Sequence, residues 1–293
     1  MSDRVKRAGI AATAGAAILW GTSFPATKGA LPFFGDPLLF AAVRVAIAAI
    51  VSLLLLQLLG RSTWKIYRSP MIWLIGVTNA VGIALQNYGM GLTSASKTVL
   101  LVDINVVIVA FLSYWLFKEK FGARKSAGVA AGIIGVVLLT YTPNLAPGSA
   151  EMLGDILVFM SGVMYAIFIV TVKKTLGKVD ALEVSMAAIA TSAVILIIPC
   201  AVMVPAGLMD SRIDFGGIAP MLYLAIVCTT IAYYLWAYGL KRLTATSSSI
   251  ILLLEVVAGL ALSFSLLGER LNSFAIIGAA FIVGAIVLVS DRG

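Results

Sequence analysis

Apolar runs of about twenty residues follow one another along this 293-residue chain, and they fix its solvent. Each run can cross roughly 30 Å of hydrocarbon as a helix. Ten are read, over about residues 8–31, 37–59, 70–91, 96–117, 124–141, 152–173, 182–204, 216–240, 245–267 and 272–290. In lipid every backbone N–H and C=O needs a partner within the chain, and a run of this length finds it as a helix. The expected fold class is an all-α integral membrane protein with ten transmembrane helices. Composition agrees: 61% of residues are hydrophobic and only 12% charged, where a soluble domain carries about 25% charged residues. The connections leave no room for a separate soluble domain. The first run exceeds the roughly 7–15 apolar residues of a signal peptide, and no clear cleavage site follows it.

The runs fall into two related sets. Tyr88-Gly89 is answered about 150 residues on by Tyr238-Gly239, Leu116 with Glu119-Lys120 by Leu266 with Glu269-Arg270, and Gly128 by Gly278. The division predicts one five-helix repeat over 1–145 and a second over 146–293. An odd number of spans per copy forces the copies to enter the bilayer in opposite directions. Inverted repeats are a transporter signature, with a substrate cavity expected between the halves near the midplane.

Basic residues orient the chain. With the N-terminus cytoplasmic, 16 of the 21 Lys and Arg residues fall on inner segments. Four, Lys28, Lys97, Arg212 and Arg270, fall on outer ones, and Arg44 lies within a span. The positive-inside rule then puts both termini in the cytoplasm. The net charge of +8 is explained by these membrane-flanking loops, so nucleic acid is not the expected partner. Membrane lipid and a small molecule are. The sequence leaves monomer or homodimer open.

Polar groups within spans should face the bundle interior or a wet cavity. In the third span Asn79 and Gln86 are seven apart, on one helical face. At the 150-residue offset they align with Thr229 and Trp236 of the eighth span, and Tyr233 lies on the same stripe. A shared cavity would need these matching faces; an interfacial aromatic belt is the other explanation, and it suits Tyr88, Tyr238 and Trp73 better. In the fourth and ninth spans Thr98 and Asn105 pair with Ser248 and Glu255. Asp103 and Glu255 are the acids well inside spans. Each could carry a proton or meet a substrate ammonium group, or could simply pair with Arg44 or Lys97. Lys97 and Asp103 are six apart, on opposing faces of one helix, so they are poor partners for each other. The halves differ where chemistry would occur: Glu255 answers Asn105, and Tyr233 answers Ile83.

The first span reads Trp20-Gly21-Thr22-Ser23-Phe24-Pro25-Ala26-Thr27-Lys28, and Pro25 should kink it. Trp20 to Lys28 and Tyr165 to Lys173 have the same spacing. Met164, Tyr165 and Phe168 are therefore expected opposite Trp20 and Phe24, although the stripe would also serve ordinary helix packing. The fifth and tenth spans are built from small and aliphatic residues, with a GxxxG at Gly128–Gly132, and suit a scaffold or a dimer face.

These motifs resemble a known family. Trp20-Gly21-Thr22-Ser23-Phe24 with Lys28 resembles the opening signature of the EamA family in the drug/metabolite transporter superfamily. Phe40-Ala41-Ala42-Val43-Arg44 is similar to its second-span pattern, and Leu116–Phe121 and Leu267-Gly268-Glu269-Arg270-Leu271 resemble its closing "LGERL". Around Asp103–Val107 and Glu255-Val256-Val257 the family's usual Pro-Val is missing, which removes the obvious cause of a kink. The resemblance covers almost the whole chain. It implies ten helices around a central cavity that works by alternating access, and within the family the chain is similar to exporters of aromatic and other neutral amino acids.

The function expected is thus export of such amino acids, or similar amphiphilic metabolites, across the bacterial inner membrane. Another cargo, such as a drug cation, nucleotide sugar or lipid, is the alternative. Anionic phosphates would call for several cavity cations, and Arg44, with Lys97 or Lys28, is all the spans offer. A membrane enzyme is disfavoured by the lack of His, of CxxC, of G-x-S-x-G and of clustered carboxylates. With Cys200 and Cys228 isolated, a His/Cys metal site is excluded and no cofactor is implied. A sensor would more naturally carry a soluble domain.

Overall fold

The computed structural model describes residues 3–61, 64–119, 122–140, 150–204, 215–267 and 273–290. Nearly all of these residues are helical, with no strand among them. Long helices are α1 (Asp3–Ala30), α2 (Pro37–Leu58), α3 (Pro70–Leu92), α6 (Ala123–Thr140), α7 (Ala150–Thr175), α8 (Ala181–Met203) and α13 (Ser273–Ser290). Three further segments are interrupted. The first is α4 (Ala95–Val102) with α5 (Asn105–Phe117), and the second is α11 (Ala245–Leu252) with α12 (Leu254–Leu267). The third joins α9 (Phe215–Ala225) to α10 (Ala232–Arg242) through a π-helical stretch, Ile226–Ile231.

Four stretches, 37–58, 150–175, 181–203 and 216–242, are each long and apolar enough by themselves to cross a membrane. Helices α1 and α3 have the length, 28 and 23 residues, but polar groups dilute their hydropathy. In α1 these include Thr13, Ser23 and Thr27, and in α3 Thr78, Asn79 and Asn87, all buried. The perimeter is apolar instead: Leu58, Trp115, Val202 and Ile276 are among its exposed side chains.

Local chemistry explains the helix starts. Asp36 precedes Pro37 and accepts from the backbone N–H of Leu38 and Leu39; Asp180 does the same for Leu182. Ser94 caps α4 through Lys97 N–H, and Thr244 caps α11 through Ser247 N–H. The last carbonyls of α3 and α10 are held by lysines from other helices. Lys28 donates to Met90 and Thr93, and Lys173 to Leu240 and Leu243. A cation there also complements the helix dipole.

Packing follows the same spacing. Helix α3 packs on α7 as α10 packs on α1. At the first crossing a methyl on Gly89 would stand 2.7 Å from the Gly154 carbonyl, and at the second one on Gly239 would stand 2.7 Å from the Gly9 carbonyl. Only glycine permits either approach. Helices α6 and α13 pack against each other, with Gly135 against the Gly278 carbonyl and Ile282. The close approach is thus at Gly135; Gly132 of the GxxxG meets Leu253 instead.

One expectation about helix shape differs from the structure. Helix α1 runs unbroken through Pro25. The segments without Pro are the ones that break, at Asp103–Ile104 and at Leu253. Short-range bonds make both breaks: Val106 N–H to Asp103 O and Val256 N–H to Leu253 O, each spanning three residues rather than four. The side chain of Asn105 then donates to the Val102 carbonyl at 2.9 Å.

Candidate functional site

A cavity of about 90 Å³ lies where α1, α2, α3, α5, α7, α10, α11 and α12 converge. That is smaller than the few hundred Å³ usual for ligand pockets, so the walls are drawn in. One wall is aromatic. Trp20 meets Tyr233 edge-on with centroids 5.5 Å apart, and Phe168 stacks on Trp236 at 5.2 Å with planes 19° apart. Phe24 and Tyr165 complete the apolar side. Such a wall accepts a planar ring or a hydrocarbon chain.

Polar groups are arranged around it. Arg44 Nε donates to Thr229 Oγ1 at 3.1 Å, and Thr229 in turn donates to the Leu224 carbonyl five residues back, within the π-helical stretch. The same stretch leaves the Cys228 carbonyl for Trp20 Nε1, at 2.8 Å. A π-helical turn at a site is a frequent functional device, and nothing in the sequence around Cys228-Thr229-Thr230 announced it. Tyr165 donates its hydroxyl to Gln86 Oε1 at 2.6 Å. Arg44 and Glu255 both line the cavity, yet neither forms an ion pair among the described residues. Three buried polar atoms of the wall have no protein partner: Asn87 Nδ2, Asn105 Oδ1 and Trp236 Nε1. Buried polar atoms seldom go unpaired, which sets these three apart from the rest of the wall.

The structure brings Trp20, Phe24, Gln86, Tyr165, Phe168, Thr229, Tyr233 and Trp236 together, with Arg44 and Glu255. Asn79 stands behind the wall. Its carbonyl accepts from the Tyr233 hydroxyl at 2.7 Å and its amide donates to Ser192 at 2.9 Å, so it positions Tyr233 rather than facing the cavity. Met164 is half-buried on α7 and outside the wall. Lys97 is remote: it pairs with Glu151 and, at 3.7 Å, with Asp155 of α7. Asp103 is buried beside Glu255 and is not part of this wall. Sequence reasoning did not place Ser23, Ile83, Asn87, Val102, Asn105, Ile169 or Leu252 in the wall. Asn87 and Asn105 were detectable as amides inside apolar runs. Ile83 and Asn105 were visible as the counterparts of Tyr233 and Glu255. The segments with Lys120 and with Gly268 to Leu271 lie outside the described residues.

Residues 7–141 and 152–291 each match the EamA-like transporter family. The chain belongs to that family. It is a multi-pass membrane protein with a transport role. A protein of Archaeoglobus fulgidus described as an uncharacterized transporter is 29% identical over 212 residues, 71% of each chain. The protein PecM of Dickeya dadantii is 26% identical over 93% of this chain and 89% of its own. The transporter YoaV of Bacillus subtilis, likewise uncharacterized, is 22% identical over 90% of both. A solved crystal structure, 20% identical, matches 99% of this chain and 98% of its own with a TM-score of 0.76, and so shares the fold.

Proposed function

We propose that the protein exports amphiphilic zwitterions, aromatic and other neutral amino acids foremost, across the bacterial inner membrane. The observation that carries this reading is the pairing of Arg44 and Glu255 in one cavity wall, unbonded to each other and flanked by an aromatic face. Arg44 offers a carboxylate its guanidinium. Glu255 offers an ammonium group its carboxyl, and Trp20, Phe168, Tyr233 and Trp236 take the side chain. A nucleotide sugar fits less well, because Arg44 is the one basic residue of that wall.

The cavity works by alternating access between two inverted five-helix repeats, 1–145 and 146–293, with both termini cytoplasmic. Support comes from the double family match on either side of that boundary. It comes equally from paired contacts: Lys28 on Met90 and Thr93 against Lys173 on Leu240 and Leu243, and Gly89 on Gly154 against Gly239 on Gly9. The skew of basic residues toward one face supports the orientation. The test is counterflow in liposomes with labelled phenylalanine, a nucleotide sugar and a lipophilic cation. Exchange of phenylalanine alone is expected; exchange of the sugar nucleotide or the cation without it would refute the cargo.

A further inference from the structure

Arg44 of α2 reaches the central cavity with one nitrogen of its guanidinium already held. Its Nε donates to Thr229 Oγ1 at 3.1 Å. Thr229 is buried, and its hydroxyl donates in turn to the Leu224 carbonyl at 2.8 Å. A hydroxyl has one proton and two lone pairs, so with its proton on Leu224 it meets Arg44 as an acceptor. Arginine stays protonated, which fixes the direction of the chain from Nε–H through Oγ1–H to the carbonyl. The terminal nitrogens, Nη1 and Nη2, have no partner among the described residues, and neither is closed off inside the protein. The backbone makes this arrangement possible. In an α-helix a threonine hydroxyl returns to the carbonyl three or four residues back. Across Ile226–Ile231 the wider π-helical turn returns Thr229 to Leu224 and Thr230 to Ala225, each five back. The same stretch holds the Trp20 indole N–H on the Cys228 carbonyl. A cation and an aromatic face of the cavity are thus fixed to one segment of backbone.

The two terminal nitrogens of a guanidinium match the two oxygens of a carboxylate. An unanchored arginine would have to give up rotamer freedom to present them. We propose, resting on the reading of Arg44 as the partner of the cargo's carboxylate, that Thr229 is the positioning residue for that contact. It anchors Nε so that Nη1 and Nη2 face the cavity as a fixed pair. The π-helical turn is what places its hydroxyl there.

The test uses the full chain in liposomes. Thr229→Val keeps the shape and removes the hydroxyl, and Thr229→Ser restores it. Thr229→Val should raise the KM for phenylalanine counterflow about tenfold, with the maximal rate held within about twofold. Thr229→Ser should stay within about threefold of wild type. Inhibition by phenethylamine, which has no carboxylate, should be the same in all three. An unchanged KM in Thr229→Val, or an equal loss for phenethylamine, would overturn the role. A second readout needs no cargo: NMR of the chain in lipid nanodiscs with isotope-labelled arginine, Arg44 being assigned by its loss in Arg44→Lys. Its Nε–H should exchange with water about tenfold or more slowly than that of exposed Arg4, and Thr229→Val should remove the protection. Exchange as fast as at Arg4 in wild type would overturn the anchor, whether or not any variant folds. A protected Nε–H in a wild type that does not exchange phenylalanine would refute the cargo reading instead, with the anchor upheld.

Discussion

Tyr233→Phe isolates one hydrogen bond behind the aromatic wall. The ring keeps its contacts with Trp20 at 5.5 Å and Phe168 at 5.9 Å. What is lost is the hydroxyl that donates to Asn79 Oδ1 at 2.7 Å, between residues 7% and 1% exposed. Asn79 retains its bond to Ser192, so one acceptor is orphaned. Bonds between membrane helices are worth about 0.6 kcal/mol on average, with a maximum near 1.7, whereas orphaning a buried acceptor costs about 1–3 kcal/mol. The expected loss is therefore about 1 kcal/mol, a few degrees in the unfolding midpoint. Tyr233→Ala, which also removes the ring, should cost about 3–5 kcal/mol. The assay is thermal unfolding in detergent, arranged as a cycle with Asn79→Ala. The two substitutions should couple by more than about 0.5 kcal/mol. Strict additivity would refute the bond, and a loss as large for Phe as for Ala would refute the division between ring and hydroxyl.

Two other consequences are accessible to the same instrument. Lys118 closes α5 with φ at +52°, the left-handed conformation that glycine adopts without strain, and Gly268 stands at the matching place in the second half. Lys118→Gly should raise stability by up to about 1 kcal/mol, and a clear loss would argue against that conformation. Partial burial pushes the Asp180 carboxyl up, but the backbone N–H of Leu182, together with Lys241 and Arg61, outweighs it and holds the group below its ordinary value. A depressed carboxyl stabilises above the unfolded value, near 3.9, and that contribution fades as pH falls through the folded value. Wild type should thus exceed Asp180→Asn in stability at neutral pH, with the gap closing below about pH 4; a gap that persists in acid would contradict it.

The fold was legible where hydrocarbon dictates it. Runs of twenty apolar residues have one way to satisfy their backbone, and the structure is helical along them. The 150-residue spacing was legible because the crossings at Gly89 and Gly239 both need glycine, each against a carbonyl 2.7 Å from where a Cβ would stand. Breaks were harder to read. Pro25 lies within an intact helix, while Asp103–Ile104 and Leu253 break without any Pro, through three-residue backbone bonds that no side chain signals. The π-helical stretch at 226–231 shows the same limit. In the site, spacing identified faces but not depth: Asn79 shares a stripe with Gln86, yet a tight bond to Tyr233 draws it behind the wall. Lys97 was ambiguous because its partners, Glu151 and Asp155, come from α7, which no local pattern connects to it.

The central claim is that the cavity reads both charged ends of its cargo, through Arg44 and Glu255, along with an apolar body. The direct measurement is inhibition of phenylalanine counterflow by phenethylamine and by 3-phenylpropionate, each lacking one end. Both should compete about tenfold or more weakly than phenylalanine, since a buried charged group loses its partner. Arg44→Gln should abolish the discrimination against phenethylamine alone. Analogues that compete as well as phenylalanine would contradict the account.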